Sequence, residues 1–253
     1  MITILFADCS LQTNDVYMNN LRYYKLMTGV DEHLEISQYM DLDYFLCLLD
    51  SRKYFVKQKK KFSDKHESTM PLKAMFKMQP VNTGSFKGES TDVNDSFERI
   101  MRFKESGTML TACWTEHNGE NALMWKSFTS KMGVCIKSSI SNFIASFETD
   151  DYDICCGRMS YTGIKSDHDF EDSLFAKDNA FEAEREIRFY FTPKNNSGTS
   201  LREGVSLPVS PEVMVNEVVL SPYINIKARN VLIQFIKEKY NINVTRSKIE
   251  FKL

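Results

Sequence analysis

The segment Ile187-Arg188-Phe189-Tyr190-Phe191-Thr192 constrains this chain more than any other. Its aromatic and β-branched residues fit a pleated, packed surface, which predicts a strand. The charged run Glu182-Ala183-Glu184-Arg185-Glu186 leads straight into it. On a strand of period two, Glu184, Glu186 and Arg188 share one face. Three charges beside an apolar strand need partners or water, because an unpaired buried charge is costly. The plainest arrangement that satisfies them is a solvated edge strand with an internal ion pair.

Around this segment, strands and helices alternate without a regular βαβ period. The fold class that follows is α+β, with mixed or antiparallel sheets and flanking helices. The run Tyr44–Leu49 reads as a helix that Asp41 or Asp43 would cap. Short strands are expected at Tyr54–Val56, Thr108–Trp114, Val134–Ile136, Val215–Leu220, Asn241–Val244 and Ile249–Phe251, with a further strand starting at Met159. Helices are expected at 94–105, 121–130, 141–147 and, as a polar stretch, 169–184. A final helix begins after Asn225, with Ala228, Leu232, Phe235 and Ile236 on one face. Residues 66–92 are loop-like. Residues 1–35 read as an N-terminal extension, with a strand of its own at Met1–Phe6, and 36–253 as a single domain.

Composition narrows the function classes. The net charge of -2 excludes an all-over basic nucleic-acid binder and leaves a local basic patch open. Such a patch exists at Lys57, Lys59, Lys60 and Lys61, interleaved with Tyr54, Phe55 and Phe62. It suits phosphate or nucleic-acid contact as well as a solvated loop. Six cysteines form no C-x-x-C pair and the four histidines are scattered, so no metal site is expected and a reduced, cytoplasmic protein is. The N-terminal apolar stretch is too short for a secretory signal, and no later run reaches membrane-span length.

Two constellations invite chemistry. Of Glu184 and Glu186, one carboxylate would hold a ribose hydroxyl or stabilise an oxocarbenium-like centre while its neighbour orients an attacking group. Both tryptophans fall in one region, Cys113-Trp114-Thr115-Glu116 and Leu123-Met124-Trp125. Trp125 beside a strand-end hydroxyl would stack on a ring, or else be helix core together with Phe128.

The succession of Phe62–Glu67, Cys113–Glu116, Met124-Trp125, Gly133–Ile136, Met159–Tyr161, Lys177 and Glu184-x-Glu186-x-Arg188 resembles the bacterial family called domain of unknown function 2971. The resemblance spans 36–253. The chain departs from that family at Ser127, where His is frequent, and at Phe181, where Trp is favoured. The family's layout is similar to ADP-ribosyltransferases, and that similarity implies NAD as substrate. By it, Tyr39 lies on the first strand, Thr115 at the middle position, and Glu186 or Glu184 is the catalytic acid. Arg188 would orient that carboxylate or pair with pyrophosphate, and Trp125 would stack on a ring. The acceptor would be a protein or nucleic acid, and the class would make the chain a toxin or defence effector held by an inhibitory partner. Two rivals remain: a non-catalytic binding or regulatory module, and a nucleotide or NAD hydrolase.

Overall fold

The computed structural model describes residues 16–19, 22–26, 29–58, 110–117, 119–162, 174–194 and 203–250. The expected helix at 94–105, the loop at 66–92, the strand at Met1–Phe6 and Lys59, Lys60 and Lys61 lie outside them.

An 11-stranded sheet organises the described chain. Its strands are β1 (Val16–Asn19), β2 (Arg22–Leu26), β3 (Glu35–Asp41), β4 (Lys53–Gln58), β5 (Leu110–Glu116), β6 (Gly133–Ser139), β7 (Tyr152–Arg158), β8 (Glu186–Pro193), β9 (Gly204–Pro208), β10 (Glu217–Leu220) and β11 (Val244–Arg246). The main path runs β1-β2-β7-β8-β5-β3-β6-β10-β11. Most pairings are antiparallel, with β2–β7 and β10–β11 parallel. The result is an α+β fold with a mixed sheet and flanking helices.

Strand β5 is a fork. One edge pairs with β8 along six residues, from Leu110 opposite Phe191 to Thr115 opposite Glu186. The other edge divides: its start pairs with β4 (Lys57 with Thr111) and its end with β3 (Ile36 with Glu116). Helix α1 (Leu42–Ser51) bridges β3 and β4. Leu42, Phe45, Leu48 and Leu49 are its buried residues, spaced to form one apolar face. Asp41 stands at its N-cap, but the carboxylate accepts from Ser130 N instead of from the helix.

Helix α2 (Ala122–Phe128) is capped by Asn121, whose side chain accepts from Leu123 N. Helix α3 (Ile140–Ala145) carries Phe143, the hub of the main core. The Phe143 ring lies 4.6 Å from Phe189, 4.9 Å from Trp114 and 5.1 Å from Phe147, in tilted or edge-on contacts. Helix α4 is the single turn Pro211–Met214, and α5 is Ile226–Tyr240, capped by Asn225 as expected.

Several sequence expectations change. Strand β8 is central and buried along most of its length, not a solvated edge. Within 169–184 the described part holds a 3-10 helix at Asn179–Glu184, so Glu184 precedes the strand and does not lie on it. Ile249 is outside any strand, and so is Met159, where a strand was expected to start: it follows the end of β7 at Arg158. Strands β1 and β2 belong to the same sheet as the rest, although they fall within the stretch read as an extension.

Candidate functional site

Register decides which side chains meet. Cross-strand partners project from the same face of a sheet, so the row Ser37–Thr115–Glu186 across β3, β5 and β8 shares one face. Ile187, Phe189 and Phe191 project to the opposite face and join the main core. Glu186, Arg188 and Tyr190 therefore stand on the second face, where Met159, Phe175 and Tyr190 form a small apolar cluster.

A chain of ion pairs occupies that face. Arg188 Nε and Nη2 donate to the two oxygens of Glu186, at 2.6 and 3.1 Å. Lys177 Nζ donates to Glu186 Oε2 at 3.0 Å and to Glu184 Oε2 at 2.7 Å. The backbone delivers Lys177 here, because 174–177 is tied to Ser160 through Ser160 N–Phe175 O and Lys177 N–Ser160 O bonds. Small neighbours give the guanidinium room: Cys113 faces Arg188 on β5 and Gly157 faces it on β7. Tyr161 closes the group, its hydroxyl accepting from Glu186 N.

Burial grades the members. The Arg188 side chain is 1% exposed, Glu186 4%, Lys177 9% and Glu184 21%. Burial alone would push the Glu186 carboxyl up, but Arg188 and then Lys177 outweigh it and hold the group below the usual carboxylate range. Burial likewise opposes the Lys177 charge, and Glu186 and Glu184 overturn that, keeping the amine charged. Burial raises the Tyr161 phenol to about 12. Glu186 is thus an anchor with both oxygens engaged, its ionised form favoured by its two cationic partners. Glu184 is the carboxylate that reaches water.

Glu184 is also fixed from behind. Thr115 Oγ1 donates to its carbonyl at 2.5 Å, and Asn121 Nδ2 donates to the Ala183 carbonyl at 3.4 Å. Arg185 then takes the left-handed conformation, φ 45°, which turns the chain from the 3-10 helix into β8. Arg185 Nη2 meets Glu116 Oε2 at 3.1 Å, and Arg158 Nη2 meets Glu116 Oε1 at 3.1 Å.

The sequence-derived candidates divide accordingly. Glu184, Glu186, Arg188 and Thr115 come together. Tyr39 and Trp125 lie in a separate cluster with Met124, Cys135 and Val219. Trp125 is fully buried, the Tyr39 ring meets it edge-on at 4.9 Å, and its Nε1 donates to Glu120 at 3.2 Å. Its ring therefore packs core and offers no face to a ligand. The Tyr39 hydroxyl accepts from Asn121 N at 3.1 Å. Arg188, spent on Glu186 and Tyr190 and enclosed, orients the carboxylate and cannot reach a pyrophosphate. Lys57 is exposed on β4, and Arg52 nearby is held by Glu212 in two bonds of 2.7 and 2.9 Å. Lys177, Tyr161, Glu116 and Arg158 went unassigned in the sequence. Glu116 and Arg158 come together through the β7–β8–β5 register, and Tyr161 and Lys177 through the segments 159–161 and 174–177 that pair beyond β7.

Among the described residues, no three His, Cys, Asp or Glu side chains are grouped to hold a metal, and no helix is long and apolar enough to cross a membrane. No protein-family model matches the chain, and no curated protein matches it. Among solved structures it is similar to DarT of Thermus sp. 2.9 in complex with ADP-ribosylated ssDNA, at 8% identity and a TM-score of 0.37. That match covers 86% of this chain and 96% of the other. At such a score the likeness carries no argument about fold or chemistry.

Proposed function

We propose that the chain is an NAD-dependent ADP-ribosyltransferase-type enzyme in which Glu184 is the carboxylate that meets substrate. The observation that supports this reading is the gradient of burial along Arg188–Glu186–Lys177–Glu184. Three enclosed charges fix one partly exposed carboxylate at the end of a central strand. Preorganised charge of this kind stabilises positive charge developing on a bound sugar without reorganising during reaction. Glu184 would accept from a ribose hydroxyl or face the oxocarbenium-like carbon as nicotinamide leaves. Lys177 keeps Glu184 in place, and the Glu186–Arg188 pair keeps Lys177 in place. The ADP-ribose would pass to a protein or nucleic-acid acceptor.

A second reading has its own support. The same network, with Glu186 and Arg188 almost fully enclosed, serves equally as a structural polar core in a non-catalytic binding module.

Labelled NAD supplied with mixed protein and nucleic-acid acceptors separates the readings. Glu184→Gln is expected to abolish turnover while leaving the unfolding midpoint close to wild type. NAD consumption without acceptor labelling would turn the assignment to a hydrolase. A folded wild-type protein that neither binds nor consumes NAD would hand the site to the binding module.

A further inference from the structure

We propose that the cleft between the start of α1 and residues 130–132 is a docking pocket for an arginine side chain presented by a partner protein. The inference stands apart from the transferase reading. The cleft encloses about 350 Å³ and is lined by Asp41, Leu42, Asp43, Leu46, Ser130 and Met132. Two backbone ties build it: Ser130 N donates to Asp41 Oδ1 at 2.5 Å, and Leu42 N donates to the Met132 carbonyl at 2.8 Å. Asp41 ends β3 four residues beyond Ser37, the neighbour of Thr115, so the cleft is separate from the carboxylate site. Both charged groups in the lining are anions. Among the described residues, neither Asp41 nor Asp43 has a cationic partner; Asp41 accepts from Ser130 N and Asp43 from Tyr44 N. The α1 N-terminus offsets part of their charge, but the Asp41 side chain makes no bond to the helix.

The rest of the lining is mostly apolar. Leu42 is buried, Leu46 is half-buried and Met132 is 42% exposed. A small hydrated cation would leave those surfaces unused. A cation on an aliphatic stem uses both, laying the stem on Leu46 and Met132 and bringing the head to the carboxylates. Arginine suits this better than lysine, because its guanidinium is weakly hydrated and its planar fork of donors can meet two carboxylates at once. Met132 adds a flexible thioether that adapts to the stem. Apolar exposure continues beyond the cleft: Tyr44, next to Asp43, is 69% exposed, and Phe128, two residues before Ser130, is 46% exposed. Aromatic residues and methionine are enriched at protein interfaces, and arginine is enriched among the residues that dominate their energy. The occupant is therefore a residue of a partner protein and not a free guanidino compound.

The test is an NMR titration of the whole chain with a capped Gly-Leu-Arg-Leu-Gly peptide, read at the Ser130 and Leu42 amides that wall the cleft. Matched peptides carry Lys or Gln in place of Arg. Variants are Asp41→Asn, which keeps an oxygen for Ser130 N, together with Asp43→Asn and Met132→Ser. Asp50→Asn, near the far end of α1 and paired with Lys239 at 3.5 Å, controls for general charge. The arginine peptide is expected to shift both amides saturably, and the Gln peptide and each cleft aspartate variant to weaken binding about tenfold or more. Met132→Ser should also weaken it, Asp50→Asn should leave it unchanged, and every variant should keep the wild-type unfolding midpoint. No saturable shift in wild type, or binding indifferent to both cleft aspartates, overturns the pocket. Equal binding of the lysine peptide overturns the choice of arginine. Saturation by calcium chloride with none by peptide overturns the docking role in favour of a cation site. A wild-type dimer in light scattering that Asp43→Asn dissolves, with no peptide binding, overturns the partner in favour of a second copy of this chain.

Discussion

At the scale of single residues, the decisive contrast lies between Glu184 and Glu186. Two positions apart in sequence, they look interchangeable on a period-two strand. The structure separates them by burial, because Glu186 lies on the central strand β8 and Glu184 on the 3-10 helix before it. The i,i+2 spacing implied Arg188 as a partner, but not Lys177, which arrives from the segment before the 3-10 helix. Removing one partner of an enclosed ion pair strands a charge, which typically costs about 3–5 kcal/mol. Arg188→Met should therefore lower stability by about that amount in urea unfolding, and Glu186→Gln added to it should recover part of the loss. An unchanged midpoint in Arg188→Met would refute the enclosed pair. The pH dependence has a definite sign. Glu186 is held below its unfolded value, so its contribution is present above about pH 4.3 and is lost as acid protonates the folded carboxyl. Glu186→Gln should show a shallower loss of stability on the acid side than wild type.

At the scale of elements, the sequence was legible wherever a run announced itself. The Tyr44–Leu49 helix, the β8 strand and the Asn225 cap each form where the sequence marked them, although Asp41 makes no capping bond and β8 is central and not an edge. Strand β7 was missed because Cys155, Cys156 and Gly157 lack strand-forming character. It exists because β8 and β2 pair with it on either side. Strand β9 was missed for a similar reason: Gly204–Pro208 carries little pattern, and β4 dictates its conformation. Gly204 marks how close that pairing is. A Cβ there would lie 2.3 Å from the Val56 carbonyl oxygen and 2.7 Å from Phe55 Cζ. The backbone oxygen cannot step aside, so Gly204→Ala should force β9 away from β4. The expected cost is about 1–3 kcal/mol by chemical denaturation, with faster amide exchange at Val56. Wild-type stability in this variant would contradict the close approach. The candidate site was half legible: the sequence marked Glu184, Glu186, Arg188 and Thr115. The ion pairs of Glu116 with Arg158 and Arg185 depended on which strands became neighbours.

At the scale of the whole molecule, the N-terminal strands belong to the same sheet as the candidate site. Strand β2 covers one edge of β7, and β7 holds Arg158 and flanks β8. Deleting residues 1–28 should bare a row of unpaired backbone groups on β7 and promote association between copies. Light scattering and thermal unfolding of the truncated chain check this: aggregation with a lowered midpoint is expected, and a monodisperse chain of unchanged midpoint would mark those strands as dispensable. The fork at β5 has a consequence in time. Its edges are completed by β3 and β4 from an earlier stretch of chain and by β8, which begins seventy residues after β5 ends. During synthesis, β5 must wait for β8 to emerge before its second edge closes. Such non-local pairing makes for slow folding and a long-lived open strand. The carboxylates enter with β8, so the site assembles in the same step that completes the centre of the sheet, and a nascent chain holds no finished site before then.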